Sequence, residues 1–167
     1  MSFQCGDQVV YGIHGVCQIV GIEQKLIDRK TVEYYVLQPC GQTEATYYVP
    51  IHNEAAVAKM RKMLTASELN ALLDSDEIQA DCWITDENLR KDRYRKLIAR
   101  ADCAELISMI RSLHLHKQRQ LAAGKKFHLC DENFLKDAQR LITGEVSQIL
   151  KIKPDQVENY IRSHLEK

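Results

Sequence analysis

At Pro50 the spacing of apolar residues changes from alternate positions to helical intervals, so no single type of layer can accommodate the whole chain. Before that point the signals are those of strands. Val9-Val10-Tyr11 is a short β-rich run closed by the turn Gly12-Ile13-His14-Gly15. Val16 to Ile22 is a second run, with Val16, Val20 and Ile22 on one face, and Asp28-Arg29-Lys30 reads as a turn. Residues 32–37 give a third strand, Pro39-Cys40-Gly41 another turn, and residues 43–49 a fourth strand. Four or five short strands in about fifty residues are too few for a sandwich. A small, strongly bent Tudor- or SH3-like β-barrel closes its own edges and fits the length.

After Pro50 the pattern is helical. Residues 54–63 suggest a short helix. Thr65-x-x-Glu68 is a capping box that satisfies backbone N–H groups lacking helical partners, and Leu69, Leu72 and Leu73 then form an apolar stripe. Asp74-Ser75-Asp76 ends this helix, and a polar connection leads to Asp81-Cys82-Trp83-Ile84, which holds the only tryptophan. Thr85 or Asp86 caps a helix reaching about Ala101, with Leu89, Tyr94, Leu97 and Ile98 inward and Arg90, Lys91, Arg93, Arg95 and Lys96 on the other face. A second helix starts near Ala104, carries Leu106, Ile107, Ile110 and Leu113, and ends near Gly124. A third begins near Asp131, with Leu135, Ala138, Ile142, Val146 and Ile149 on one stripe. Pro154 suits the first turn of a last helix carrying Val157, Ile161 and Leu165. The expected fold is α+β: a barrel over residues 1–52 and an all-helical bundle over 53–167.

A formal net charge of zero over 167 residues conceals an asymmetry. Residues 1–82 carry −5, residues 83–126 carry +6, and residues 127–167 carry −1. Lys and Arg at that density suit a phosphate-binding surface, because such contacts release condensed counterions. A solvated helical face with internal ion pairs, such as Asp86 with Arg90, accounts for the same charges.

Other functional classes find less support. No Gly-rich phosphate loop, G-x-S-x-G or H-E-x-x-H is present, and no enzyme is expected. The six cysteines are scattered without a C-x-x-C. His114-x-His116 and His128-x-Cys130 lack a matching pair at zinc-site spacing, so neither metal nor other cofactor is expected. No apolar run approaches bilayer length and the start lacks a signal-peptide layout, which leads to the expectation of a cytoplasmic protein without membrane contact or small-molecule substrate.

Gly6-Asp7-x-Val9-Val10-Tyr11, His14-Gly15, and an aliphatic run ending in Ile22-Glu23, followed by Tyr34-Tyr35-Val36-Leu37 and Tyr48-Val49-Pro50, closely resemble CarD/CdnL-type bacterial transcription regulators. The same opening occurs in the RNA polymerase-interacting domain of the transcription–repair coupling factor. The resemblance extends to Trp83, to Arg119 through Lys126, and to Ala138 through Glu145.

The resemblance implies that the barrel docks on the RNA polymerase β subunit, with Lys25, Tyr47 and Tyr48 as contacts. It implies that the helical part lies on promoter DNA at the upstream edge of the bubble and modulates the open complex. Trp83 would wedge into the minor groove. Arg90, Lys91, Arg93, Arg95, Lys125 and Lys126 would hold phosphates with little base specificity. Tyr48 stands where some members carry an arginine, Thr85-Asp86-Glu87-Asn88 intervenes before the first basic residues, and residues 127–132 form an extra segment. The competing reading is a protein-interaction adaptor with Trp83 buried as an interdomain anchor and no DNA contact.

Overall fold

A computed structural model describes residues 2–41, 44–79 and 81–165. The architecture is α+β, with strands first and helices after. The chain divides into Met1–Met63 and Leu64–Lys167.

The first unit is a five-stranded antiparallel sheet. Its strands are β1 (Gln8–Tyr11), β2 (Val16–Ile27), β3 (Lys30–Pro39), β4 (Tyr47–Pro50) and β5 (Met60–Lys62), hydrogen-bonded in the order β4-β3-β2-β1-β5. That order is open: β4 and β5 are its edges, and no pairing joins them among the described residues. The sequence suggested a closed barrel; the hydrogen-bonded ladder seen here is an open sheet. The fourth strand was expected from Thr43, which lies outside the described residues.

The helix expected over residues 54–63 is a single turn, α1 (Glu54–Val57), capped by Asn53, whose Oδ1 accepts from the Ala56 N–H at 3.1 Å. The chain then turns back, and Met60, Arg61 and Lys62 pair with Tyr11, Val10 and Val9. An unpaired edge of β1 is thereby covered. The first unit therefore runs past residue 52, where the change of periodicity suggested a border.

Phe3, Val9, Cys17, Ile19, Tyr35, Leu37, Val49 and Met60 form the core of this sheet. Burial, and next the neighbouring Cys40, push the Cys17 thiol up to about 12. A bulge between Ile19 and Gly21 interrupts the β2–β3 register. It explains why the single face expected for Val16, Val20 and Ile22 is not seen: Val16 is buried, whereas Val20 and Ile22 are exposed. An extra residue in one strand shifts the alternation beyond it. Beyond Glu23, past the reach of β4, β2 and β3 continue as a two-stranded ribbon with Leu26 and Ile27 in solvent.

The second unit holds α2 (Ala66–Leu73), a 3₁₀ turn at Asp76–Gln79, α3 (Glu87–Arg100), α4 (Cys103–Ala122), α5 (Leu129–Leu150) and α6 (Pro154–Leu165). Thr65 and Glu68 make the reciprocal bonds of the expected capping box. Asp86 caps α3 through the Leu89 N–H, and Asp102 caps α4 through the Glu105 N–H. Gly124, at φ +70, closes α4: its N–H bonds the Leu121 carbonyl, and the Lys125 N–H bonds that of Gln120. This paired closure needs a left-handed residue, which glycine adopts without a Cβ clash.

Leu69, Leu73, Tyr94, Leu106, Met109, Leu113, Leu135, Val146 and Val157 are all buried in this unit. Leu89 was expected inward and is exposed. Arg90 takes the inward position instead, on a stripe with Tyr94, Leu97 and Ile98. No helix among the described residues is long and apolar enough to cross a membrane.

Candidate functional sites: two aromatic surfaces beside cations

In the sheet unit the candidate contacts separate by strand alternation. Successive side chains of β4 point to opposite faces, so Tyr47 and Tyr48 cannot share one. Tyr47 packs against the core, with ring centroids 4.2 Å from His14 and 5.8 Å from Tyr11. Tyr48 is 41% exposed, and the Lys25 Nζ stands 3.4 Å from its ring centroid. Tyr34 meets Tyr48 edge to face at 6.3 Å and lies 6.0 Å from the same ammonium. Lys25 and Tyr48 thus form one exposed cation–aromatic surface on the face that Tyr34 and the exposed Ile27 share by register, while Tyr47 belongs to the opposite, packed side.

In the helical unit everything converges on Trp83, which is partly exposed. Its indole stacks on His116 of α4, with centroids 3.5 Å apart and planes 12° from parallel. The Arg90 guanidinium lies 4.3 Å from the indole ring. Arg90 in turn bonds Asp131 through two nitrogens, each at 2.9 Å, and donates to the carbonyls of Ile84 and Thr85. It is 4% exposed and Asp131 is fully buried. Burial disfavours the guanidinium charge, yet the hydrogen bond and charge of Asp131 outweigh it and raise the Arg90 pKa. The proposed phosphate contact at Arg90 is therefore corrected. Its donors are committed inside the protein, and what it positions is the backbone around Trp83.

Further bonds fix the same segment. The Cys82 N–H donates to the Ser112 Oγ at 3.0 Å, and the Trp83 N–H to the Asp81 Oδ1 at 3.1 Å. Arg119 approaches the Asp81 carboxylate at 3.6 Å and is itself exposed. His116 has an imidazole held below its ordinary pKa, by burial first and then by Arg90, so a neutral ring stacks on the indole. Phe127 lies 6.4 Å from His116, with the Lys117 Nζ 5.7 Å from the phenyl ring.

The other basic candidates sit apart from one another in role. Lys91 is partly buried and pairs with Glu87 at 2.6 Å. Arg93 is exposed and stands 4.0 Å from Glu105, which Arg100 also reaches at 3.3 Å. Arg95 is exposed with no ion pair among the described residues. Lys125 and Lys126 are exposed just beyond the Gly124 closure of α4. Exposed pairs of this kind contribute little to stability and give way readily to a competing phosphate.

Residue-by-residue reading of the sequence missed His116, Lys117, Arg119 and Asp131 as parts of the Trp83 surroundings. Asp131 had a legible signal: it stands four and seven residues before Leu135 and Ala138 on the apolar stripe of α5. Among the described residues, no three His, Cys, Asp or Glu side chains group as a metal site.

No curated protein matches the chain. Residues 3–64 match the family model of the CarD-like/TRCF RID domain. That span takes in all five strands and the core aromatics Phe3 and Tyr35, so the N-terminal unit of this chain is similar over nearly its whole length to the CarD-like/TRCF RID domain.

Proposed function

We propose that the chain is a non-enzymatic transcription regulator that joins RNA polymerase to promoter DNA. In this reading the sheet unit docks on the polymerase β subunit through Lys25, Tyr48 and, on the same face, Tyr34 and Ile27. The helical unit meets DNA with Trp83, while Arg95, Lys117, Arg119, Lys125 and Lys126 approach phosphates. The observation that carries the polymerase half is the domain match at residues 3–64, because the family it names docks on that enzyme.

The DNA half is supported by how Trp83 is mounted. A half-exposed indole held by a stacked imidazole and a buried ion pair keeps one orientation without being enclosed. An aromatic edge so fixed can enter a distorted base step, and sequence-independent affinity comes from the surrounding cations.

The test is capture of polymerase and of polymerase–promoter complexes by the 167-residue chain at several salt concentrations. Lys25→Glu is expected to weaken capture of polymerase alone. Lys125→Gln with Lys126→Gln is expected to leave that capture intact and to reduce the gain on adding promoter. The logarithmic salt slope should become shallower by about 0.9 for each lost phosphate contact. No gain from promoter DNA at any salt concentration would favour the adaptor reading.

A further inference from the structure

The segment that carries Trp83 lines a cavity for which the proposed function has no use. Cys82 and Ile84, on either side of the indole in sequence, wall a space of about 370 Å³ with Tyr94 and Leu97 of α3 and Ala104 and Ser108 of α4. Two lining residues hold a buried polar atom with no hydrogen-bond partner among the described residues: the Tyr94 hydroxyl and the Glu105 Oε2. Tyr94 is 1% exposed. The other oxygen of Glu105 is engaged by Arg100 and Arg93. Buried polar groups in native proteins are nearly always paired, and each unpaired one calls for an explanation.

The walls indicate what would pair with them. Ile84, Leu97 and Ala104 are apolar. Glu77 and Glu105 are balanced by Arg93, which also lines the space, and by Arg100 beside Glu105. Neither a cation nor an anion is favoured by that balance. A hydroxyl group is the simplest partner that both accepts from a phenol and donates to a carboxylate. The volume is at the small end of the range for ligand pockets.

We propose that this cavity binds a small uncharged molecule carrying a hydroxyl on an apolar body, and that its occupancy steadies the Cys82–Trp83–Ile84 segment. The effect on DNA rests on the function proposed above; binding itself does not.

Benzyl alcohol is the probe, with toluene as the matched molecule lacking the hydroxyl, each titrated into the 167-residue chain and followed by ¹H–¹⁵N NMR. The alcohol is expected to shift the amide signals of Cys82, Ile84, Leu97, Ala104 and Ser108 saturably, and to bind about fivefold more tightly than toluene, the ratio one net hydrogen bond confers. Tyr94→Phe, which removes a hydroxyl without a partner and so should fold normally, is expected to reduce that preference to what donation to Glu105 contributes. Ala104→Phe fills the space and should abolish binding of both. Bound alcohol should also slow alkylation of Cys82 by iodoacetamide, read by peptide mass, without slowing that of the exposed Cys5. Scattered, non-saturating shifts, or shifts unchanged by both variants, would overturn the site. Equal affinity for toluene and the alcohol would overturn the hydroxyl assignment. Saturable binding in a protein whose Trp83→Ala variant stabilises open complexes normally would uphold the cavity and dispose of the DNA reading.

Discussion

Each unit sets an aromatic ring against a cation, and the two pairs are built in opposite ways. Lys25 lies over Tyr48 in solvent, on a sheet face with Ile27 also exposed. Arg90 lies against Trp83 with its guanidinium buried and bonded on both sides of the fork to Asp131. The first cation is free to turn to another molecule, because leaving Tyr48 for a carboxylate or backbone carbonyl costs little. The second is spent on holding its ring in place. A cation beside an aromatic is thus a contact in one unit and a bracket in the other, and burial of the cation tells them apart.

The largest expected effect breaks the bracket. Asp131→Ala leaves Arg90 charged and unpaired in the interior, a change that costs about 3–5 kcal/mol. Lys25→Ala removes only an exposed charge and should shift stability by about 0.5 kcal/mol or less. Urea unfolding of the two variants against the parent measures the contrast. A loss below about 1 kcal/mol in Asp131→Ala would make Arg90 a surface cation after all and return it to the phosphate contacts.

Trp83→Ala comes next. A fully buried tryptophan would cost about 3–5 kcal/mol, and a free surface one almost nothing. Partial exposure with stacking on His116 places the expected loss between these, at about 1–2 kcal/mol. Quenching of the sole indole by acrylamide should fall between the values for free tryptophan and a shielded one. Complete shielding together with a loss above about 3 kcal/mol would establish the anchor reading.

Two histidines give the helical unit a pH dependence. His114 and His116 both have pKa values lowered from the ordinary value, chiefly by burial. Around His116 the nearby Arg90, Arg119 and His128 add to the lowering, and Asp131 opposes it. Around His114, Glu158 and Glu132 oppose it, while Lys117 and Arg162 add to it. The unfolded chain therefore binds protons first as pH falls. The stabilisation is fully present above the unfolded value of about 6.5 and is lost progressively as pH falls from there through the lower folded values. Urea midpoints measured from about pH 8 to 5.5 should decline, and His116→Gln should flatten part of the slope. A midpoint that rises on acidification over this interval would contradict the buried, neutral state of both rings.

Much of this was legible in the sequence. The capping box at Thr65 and the cap at Asp86 are local signals and formed locally. Gly124 closes α4 where its position suggests. Two kinds of error share a cause in long-range pairing. Met60-Arg61-Lys62 reads as the end of a helix because nothing nearby shows that β1 has an open edge for it. Arg90 reads as part of a basic face because its sequence neighbours Lys91 and Arg93 are basic as well. Its place on the stripe with Tyr94 and Leu97, and that of Asp131 on the stripe with Leu135, make two opposite charges on two apolar faces, which is the sequence signature of a buried pair. The site residues on α4 were hidden for a different reason. His116 and Arg119 are brought to Trp83 by the packing of separate elements, and no spacing rule within a helix predicts that.

The smallest expected effect sharpens the description of the ribbon that carries Lys25. β2 and β3 are joined through Asp28 and Arg29, with Ile27 opposite Lys30, and both turn residues have positive φ, 48° and 65°. A two-residue hairpin turn of that kind matches the strand twist but favours Asn-Gly, because a Cβ is disfavoured in the left-handed region. Arg29→Gly relieves that strain while adding freedom to the unfolded chain, and the balance should stabilise the sheet unit by about 0.5–1 kcal/mol. Thermal unfolding checks the gain. Polymerase capture by the same variant then decides what the ribbon presents. Unchanged capture would confine the contact to Lys25, Tyr48 and the adjacent β2 side chains, with the turn serving only to hold the ribbon. Weaker capture from a more stable protein would show that Arg29 is itself read by the partner, and would extend the exposed surface to the tip.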